Sequence, residues 1–329
     1  LANARKTVVL SNSGIGTLQT CKRLYHLKYN RNLEQMEKPV YFKIGGAFHT
    51  GVEFYRGDFT LAESIAEAKA CLDDVDHQVM VSAMLTAWET HTKNFYKGYE
   101  VVDVEMEFEL KYAHGAVTDY YFAGVVDALV KDSAGRVFIL ENKTTSDTIE
   151  RFGSRLWAQR QGLLYNWALR RLGHPIAGII YDVTKKPAMK RKLATPTEKR
   201  KYKKPDKNGE LKLYAGQREH DESAGAYHQR ILELYSERSA DYFAQEVIVH
   251  TPAQLESIDT DFKDILNELM FCERTGTWPR SLTACYAWNR SCEFQPYCGA
   301  GNDEVILQTL FKERKRVFDN LLQNGGEEK

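Results

Sequence analysis

Asp127, Glu141 and Lys143 are the residues of this chain whose types and spacing best suit chemistry. They lie in two apolar, β-branched runs, Val125 to Val130 and Val137 to Lys143, each the length of a buried strand. Between the runs stands Asp132-Ser133-Ala134-Gly135-Arg136, whose glycine suits the left-handed position closing a three-residue hairpin loop. With Asp132 facing Arg136, Asp127 falls opposite Glu141, and Lys143, two residues on, shares their face. A bulge at the glycine would slip this register by one. Carboxylates opposed on a sheet repel, with Cβ atoms about 5 Å apart. A divalent cation turns that repulsion into ligation, and hard oxygen ligands suit Mg²⁺ or Mn²⁺. The lysine then orients or helps deprotonate a water, or stabilises charge on a phosphate. By themselves the three residues equally fit a surface Asp and a Glu–Lys pair on a solvated strand face.

The elements that position these residues belong to a chain of 329 residues, long enough for a sizeable core. With 43% hydrophobic and 27% charged residues, its composition is globular. No apolar run has the length of a membrane span and the N-terminus lacks a signal-peptide core, which predicts a cytoplasmic protein. Lys plus Arg and Asp plus Glu number 45 each, so contact with nucleic acid must come from local patches.

Leu18 to Tyr29 reads as a short helix carrying Cys21, and Val40 to Ile44 as a strand, with a second helix opening after it at Gly45. Leu61 to Val75 and Gln78 to Lys97 have helical spacing and form a helical subdomain. Glu100 to Leu110 alternates strictly, a half-exposed strand. Its acidic face, Asp103, Glu105, Glu107 and Glu109, reads as solvated, with a metal site as the alternative. After the hairpin, Arg155 to Leu172 is a helix with Trp157, Gln161, Leu164, Tyr165 and Ala168 along one stripe. Ala177 to Val183 is a last strand, giving strand–hairpin–helix–strand, an α/β core. Ala224 to Ala244, Ala253 to Thr275 and about Asp303 to Gln323 return to helix. The chain thus divides into an N-terminal segment with the helical subdomain (1–99), a core (100–184), a basic insertion (185–223) and a C-terminal helical region (224–329).

Between Lys185 and Lys204 stand ten Lys or Arg against one acid, Glu198. Prolines 187, 196 and 205 argue against a helix there. Lys185, Lys186, Lys199, Arg200, Lys201, Lys203 and Lys204 are candidate phosphate contacts, a solvated mobile loop being the alternative. Cys285, Cys292 and Cys298 leave a tetrahedral site or a cubane cluster one ligand short. Cys71 and Cys272 lie inside helical stretches and read as buried apolar residues, so Cys21 is the better fourth donor.

The pattern Asp127…Glu141-Asn142-Lys143 resembles the active-site hairpin of the PD-(D/E)XK nuclease superfamily, with Val126 where the name has proline. One cysteine near the start and three near the end resemble the iron–sulfur arrangement of the RecB-like nucleases, which include CRISPR-adaptation nucleases and phage exonucleases. Gly45-x-x-x-His49 and Gln161-x-x-x-Tyr165 are similar to motifs of that group, and Tyr181 to Pro187 looks like its phage members. The resemblance implies a mixed β-sheet nuclease core flanked by helices, with an iron–sulfur cluster joining the N- and C-terminal segments. It implies that His49, Asp127, Glu141 and the Asn142 carbonyl hold Mg²⁺ or Mn²⁺ while Lys143 acts on the water. Gln161 and Tyr165 then contact the substrate or support the site. It also implies that Cys21, Cys285, Cys292 and Cys298 carry a [4Fe–4S] cluster, or zinc on the same thiolates. The activity implied is an exonuclease on DNA ends, single-stranded or duplex, in recombination, repair or phage replication. A helicase, recombinase or single-strand-binding protein is the implied partner, in a bacterial or phage-infected cell. A CRISPR-adaptation nuclease and a cluster-bearing DNA-binding scaffold with a vestigial site are the alternatives. The intact Asp–Glu–Lys set argues against the scaffold.

Overall fold

The computed structural model describes residues 6–36, 40–114, 117–204, 208, 210–287, 290–314 and 318. The chain starts with β1 (Lys6–Leu10) and α1 (Asn12–Thr20), which Ser11 caps through the Gly14 N–H. The single helix expected over Leu18 to Tyr29 is broken: Cys21 is extended, and the chain restarts as α2 (Lys22–Tyr25) and a π turn, His26–Asn30. β2 (Leu33–Gln35) follows. Val40 to Ile44 is helix rather than strand, the first turns of α3 (Val40–Arg56). Its branched and aromatic residues favour strands locally, but α3 as a helix buries Ala47, Phe48 and Val52 together. They pack with residues of α4 (Leu61–Ala70), started by a Thr60–Glu63 capping box, and α5 (Val75–Tyr96).

The central sheet comprises β1, β3 (Tyr99–His114), β4 (Thr118–Asp132), β5 (Val137–Thr145), β6 (Ile176–Lys185) and β7 (Phe243–Ile248). Its order is β1-β4-β5-β6-β7, with β3 also antiparallel to β4. β3 lies along nearly all of β4, so β1 and β5 share the other edge, β1 beside Thr118 to Phe122 and β5 beside Ala128 to Lys131. β5 and β6 are parallel and the remaining β5–β4 and β6–β7 pairings antiparallel, so the sheet is mixed as expected. β6 is not the last strand: the helix expected over Ala224 to Ala244 ends at Glu237 (α8, Ala224–Glu237), and Phe243 to Ile248 pairs with β6 instead.

The helix expected over Arg155 to Leu172 starts late: α6 (Ile149–Gly153) precedes it, its first residues form a 3₁₀ turn at Leu156–Ala158, and α7 spans Arg160–Arg171. The turn buries Leu156 fully and leaves Trp157 61% exposed, off the stripe that Leu164, Tyr165 and Ala168 keep. α7 and α9 (Pro252–Thr275) cover one face of the sheet, where Phe122, Trp167 and Phe262 meet. A second core holds Trp88, Tyr227, Ile231 and Tyr235, so α8 packs with the N-terminal helical subdomain. The chain then forms the two-residue strands β8 (Tyr286–Ala287) and β9 (Arg290–Ser291), α10 (Gln295–Gly299) and α11 (Glu304–Leu310). The helix expected to Gln323 stops at α11, because Phe311 stacks on Phe294 and β10 (Phe311–Glu313) pairs with β2. The rest of that expected helix lies outside the described residues, apart from Arg314 and Phe318. Among the described residues no helix is long and apolar enough to cross a membrane.

Candidate active site

The hairpin forms in the expected register. Asp132 N–H donates to the Arg136 carbonyl over 3.0 Å, and Gly135 takes φ 77°. The ladder runs from Lys131–Val137 to Ala128–Leu140, so the next opposed positions are Asp127 and Glu141. There the pairing gives way to side chains. Asp127 Oδ2 accepts the Asn142 backbone N–H over 2.6 Å and its side-chain amide over 3.2 Å.

Glu141 is fully buried, and its Oε2 accepts from Lys143 Nζ over 2.9 Å and from Gln161 Nε2 over 3.0 Å. Lys143 also donates to Gln161 Oε1 over 2.8 Å, closing a triangle between β5 and the first turn of α7. Burial, outweighing Lys143 and reinforced by Asp127, pushes Glu141 up to about 7. Burial by itself would lower Lys143, but the charges of Glu141 and Asp127 raise it, so the ammonium keeps its proton.

α3 brings His49, whose Nδ1 lies 3.8 Å from Asp127 Oδ2. Gly45, one turn earlier, packs closely on β5, where a Cβ would meet Thr144 Oγ1 at 3.1 Å. Burial lowers His49 against the opposing pull of Asp127, which favours the neutral, metal-binding imidazole. Two acids join this group that the motifs did not name. Glu53 follows His49 by one turn and is raised by burial and by Asp127. Glu105 of β3 is pushed up to about 7 by partial desolvation, then by Asp127 and Glu53. Of the acidic face read as solvated, this residue belongs to the site.

A buried polar knot fixes α3 against the sheet. Asp182, register partner of Asn142 on β6, accepts from Trp88 Nε1 and Tyr96 OH over 2.7 Å each, from Gln245 over 2.9 Å and from Arg56 over 3.5 Å. Arg56 also stacks over the Trp88 and Tyr96 rings. His49, Glu53 and Arg56, at helical spacing on α3, are thereby presented along β5 and β6.

Of the expected substrate contacts, Gln161 stands at the site but Tyr165 is buried against Phe108 and Phe122. Lys186 is half-buried, lowered by burial, and its charge acts on His49. Lys185 lies over the Tyr242 ring. The basic insertion is a two-armed projection, held by Tyr214 N–H to the Lys201 carbonyl and Thr195 N–H to the Arg218 carbonyl. Arg200 is spent inside it, on the Thr195 and Glu219 carbonyls, whereas Lys199, Lys201, Lys203 and Lys204 are exposed.

Cys21, Cys285, Cys292 and Cys298 line one pocket between α2 and α10, together with Arg23 and Arg280. Cys21 Sγ accepts the Ser281 N–H at 3.4 Å. Cys272 is buried in α9 as expected, but Cys71 is exposed at the end of α4. Among the described residues no three His, Cys, Asp or Glu side chains stand close enough to hold a metal ion as they are placed. Two features of the donor sets still bear on metal binding. Glu141 Oε1 is buried without a hydrogen-bond partner, and the four thiols converge on one pocket.

Two opposed carboxylates and a charged lysine on a mixed sheet make up a class of site suited to metal-assisted phosphodiester hydrolysis. The chain belongs to the PD-(D/E)XK nuclease superfamily, whose family model matches residues 9–299. It is accordingly a nuclease, a hydrolase acting on DNA, of a superfamily that commonly uses Mg²⁺ or Mn²⁺. Among solved structures, that of SSO0001 matches 64% of this chain and 80% of its own at 12% identity; its TM-score of 0.23 carries no argument. No curated protein matches the chain.

Proposed function

We propose that this protein is a metal-dependent DNA exonuclease of the RecB-like iron–sulfur group. The observation that carries the reading is the closed triangle of Lys143, Glu141 and Gln161 beside Asp127. Asp127, Glu141, His49 and the Asn142 carbonyl would hold Mg²⁺ or Mn²⁺, which when bound activates water and neutralises phosphate charge. Lys143, held protonated, directs its ammonium at the attacking water or at the developing negative charge. Gln161 fixes the lysine, and Tyr165 supports Gln161 from the core. Cys21, Cys285, Cys292 and Cys298 would carry a [4Fe–4S] cluster, which when bound ties the two ends of the chain together.

The preference for ends and the setting in recombination, repair or phage replication rest on the resemblance in motifs and cysteines. Digestion of end-labelled single- and double-stranded DNA with Mg²⁺ or Mn²⁺ tests the reading. Mononucleotides or short products released progressively from one end are expected. Cutting of closed circles as fast as of linear DNA would replace exonuclease by endonuclease.

A further inference from the structure

Trp157 stands out among the described tryptophans. Trp88 and Trp167 are buried and Trp278 stacks on His26 and Tyr25, whereas Trp157 is 61% exposed. It is not a loose side chain on a frayed loop. Leu156 beside it is fully buried, and Arg160, three residues on, is tied to Asn12 and Gln19 of α1. The turn is pinned on both sides, and the indole is held outward at the cost of the burial an aromatic normally gains.

Its position bears on the substrate. Four residues separate Trp157 from Gln161, whose amide touches both Lys143 and Glu141. Four residues span at most about 14 Å even when fully extended. The Trp157 Cα therefore lies within about 14 Å of the Gln161 Cα, so the indole stands within a few nucleotides of the Glu141–Lys143 site.

Its surroundings offer cationic groups. Around the turn stand the exposed Arg151 and Arg155, with Asp147 and Glu150, while Arg160 is engaged by α1. The single Asp147 carboxylate serves both Arg155, at 2.7 Å, and Arg151, at 3.6 Å, and both arginines are exposed. An exposed aromatic beside two exposed guanidinium groups that share one carboxylate matches a strand that offers bases to stack and phosphates to pair. We propose that Trp157 is a stacking platform for a base a few nucleotides from the scissile phosphate. The proposal rests on the nuclease reading of the Lys143 site and adds a base-binding subsite to it.

The test uses the full chain with Ca²⁺ in place of Mg²⁺ and single-stranded oligonucleotides carrying one 2-aminopurine at successive positions from the end. Binding should quench the probe most strongly at one position among the first few. Trp157→Ala should remove that quenching and weaken binding about 10-fold, while Trp157→Phe keeps most of both. Unchanged quenching and affinity in Trp157→Ala, or no binding by the wild type, overturns the proposal, the second result leaving the indole for a protein partner. Cleavage of the same oligonucleotides in Mg²⁺ is scored separately. Its absence sinks the nuclease reading, whereas stacking is read without any cutting.

Discussion

Lys143 Nζ lies 2.8 Å from Gln161 Oε1, a contact that joins β5 to the first turn of α7. The lysine is shared between a neutral acceptor and the buried Glu141 carboxylate, so its ammonium is both oriented and kept charged. Lys143→Ala is therefore expected to lower cleavage by at least about 100-fold while DNA affinity changes little. Single-turnover cleavage and binding by anisotropy read the two separately. Wild-type turnover in the variant would remove the hairpin from the mechanism.

Glu141 gives the metal-free protein a pH dependence. Its pKa rises from the ordinary carboxylate value to about 7 on folding, chiefly through burial. Between about pH 4.5 and 7 the folded state binds the extra proton, so this group's contribution to stability falls as pH rises through that window. The loss is at most about 3 kcal/mol and is complete above pH 7. The stability difference between wild type and Glu141→Gln, followed by urea unfolding in EDTA, should decline up to pH 7 and then level. Mg²⁺ at pH 8 should restore part of the wild-type loss. A pH-independent difference would show that Glu141 does not titrate in this range.

The Asp182 knot predicts a structural defect with a functional echo. Asp182→Ala leaves Trp88, Tyr96 and the Arg56 guanidinium without their shared acceptor inside the core. A loss of about 3 to 5 kcal/mol is expected in urea unfolding. Cleavage should weaken as well, because His49 reaches Asp127 on the helix that Arg56 holds. Stability within 1 kcal/mol of wild type (about, given the accuracy of extrapolated values) would show that the knot is not the clamp.

The hairpin was legible because its cues are local: a glycine at positive φ and two apolar runs fix the register that opposes Asp127 and Glu141. Gln161 was legible because a polar residue on a core stripe needs a reason. Glu53 and Glu105 were not: Glu53 meets Asp127 only after α3 docks on the sheet, and Glu105 only through the β3–β4 register, in which Val104–Ala128 and Met106–Val126 bracket Asp127. Helical spacing from His49 was the one available signal for Glu53. Val40 to Ile44 misled because strand propensity is a weak local preference that packing of Phe48 and Val52 overrides. Trp157 misled because periodicity cannot report a 3₁₀ break without proline or glycine.

The basic projection should add affinity without chemistry. Lys199, Lys201, Lys203 and Lys204 are exposed, whereas Arg200 holds the projection together and belongs outside the test set. Changing the four lysines to Gln should weaken DNA binding. It should also flatten the log–log salt dependence on duplex DNA, by about 0.9 for each phosphate no longer neutralised. Cleavage at saturating DNA should be nearly unaltered. An unaltered salt slope would show that the projection does not touch DNA.

The four-cysteine pocket separates two classes of cysteine in one chain. Cys21 breaks a helix to reach a pocket shared with Cys285, Cys292 and Cys298, although 264 residues separate it from the first of them. Anaerobically purified protein should be brown, with iron, acid-labile sulfide and broad absorption near about 400 nm, as expected for thiolate-bound iron. Cys21→Ser should bleach it as fully as Cys292→Ser. Cys71→Ser, exposed at a helix end, and Cys272→Ser, buried in α9, should both stay coloured. Removing the metal should lower thermal stability, because the Phe294–Phe311 packing and the β2–β10 pairing would hold the chain ends without their crosslink. Colourless protein with stoichiometric zinc would keep the ligands and change the metal. A Cys21 variant that retains its full cluster would exclude Cys21 from the ligand set, leaving its extended backbone and the Ser281 N–H contact as packing alone.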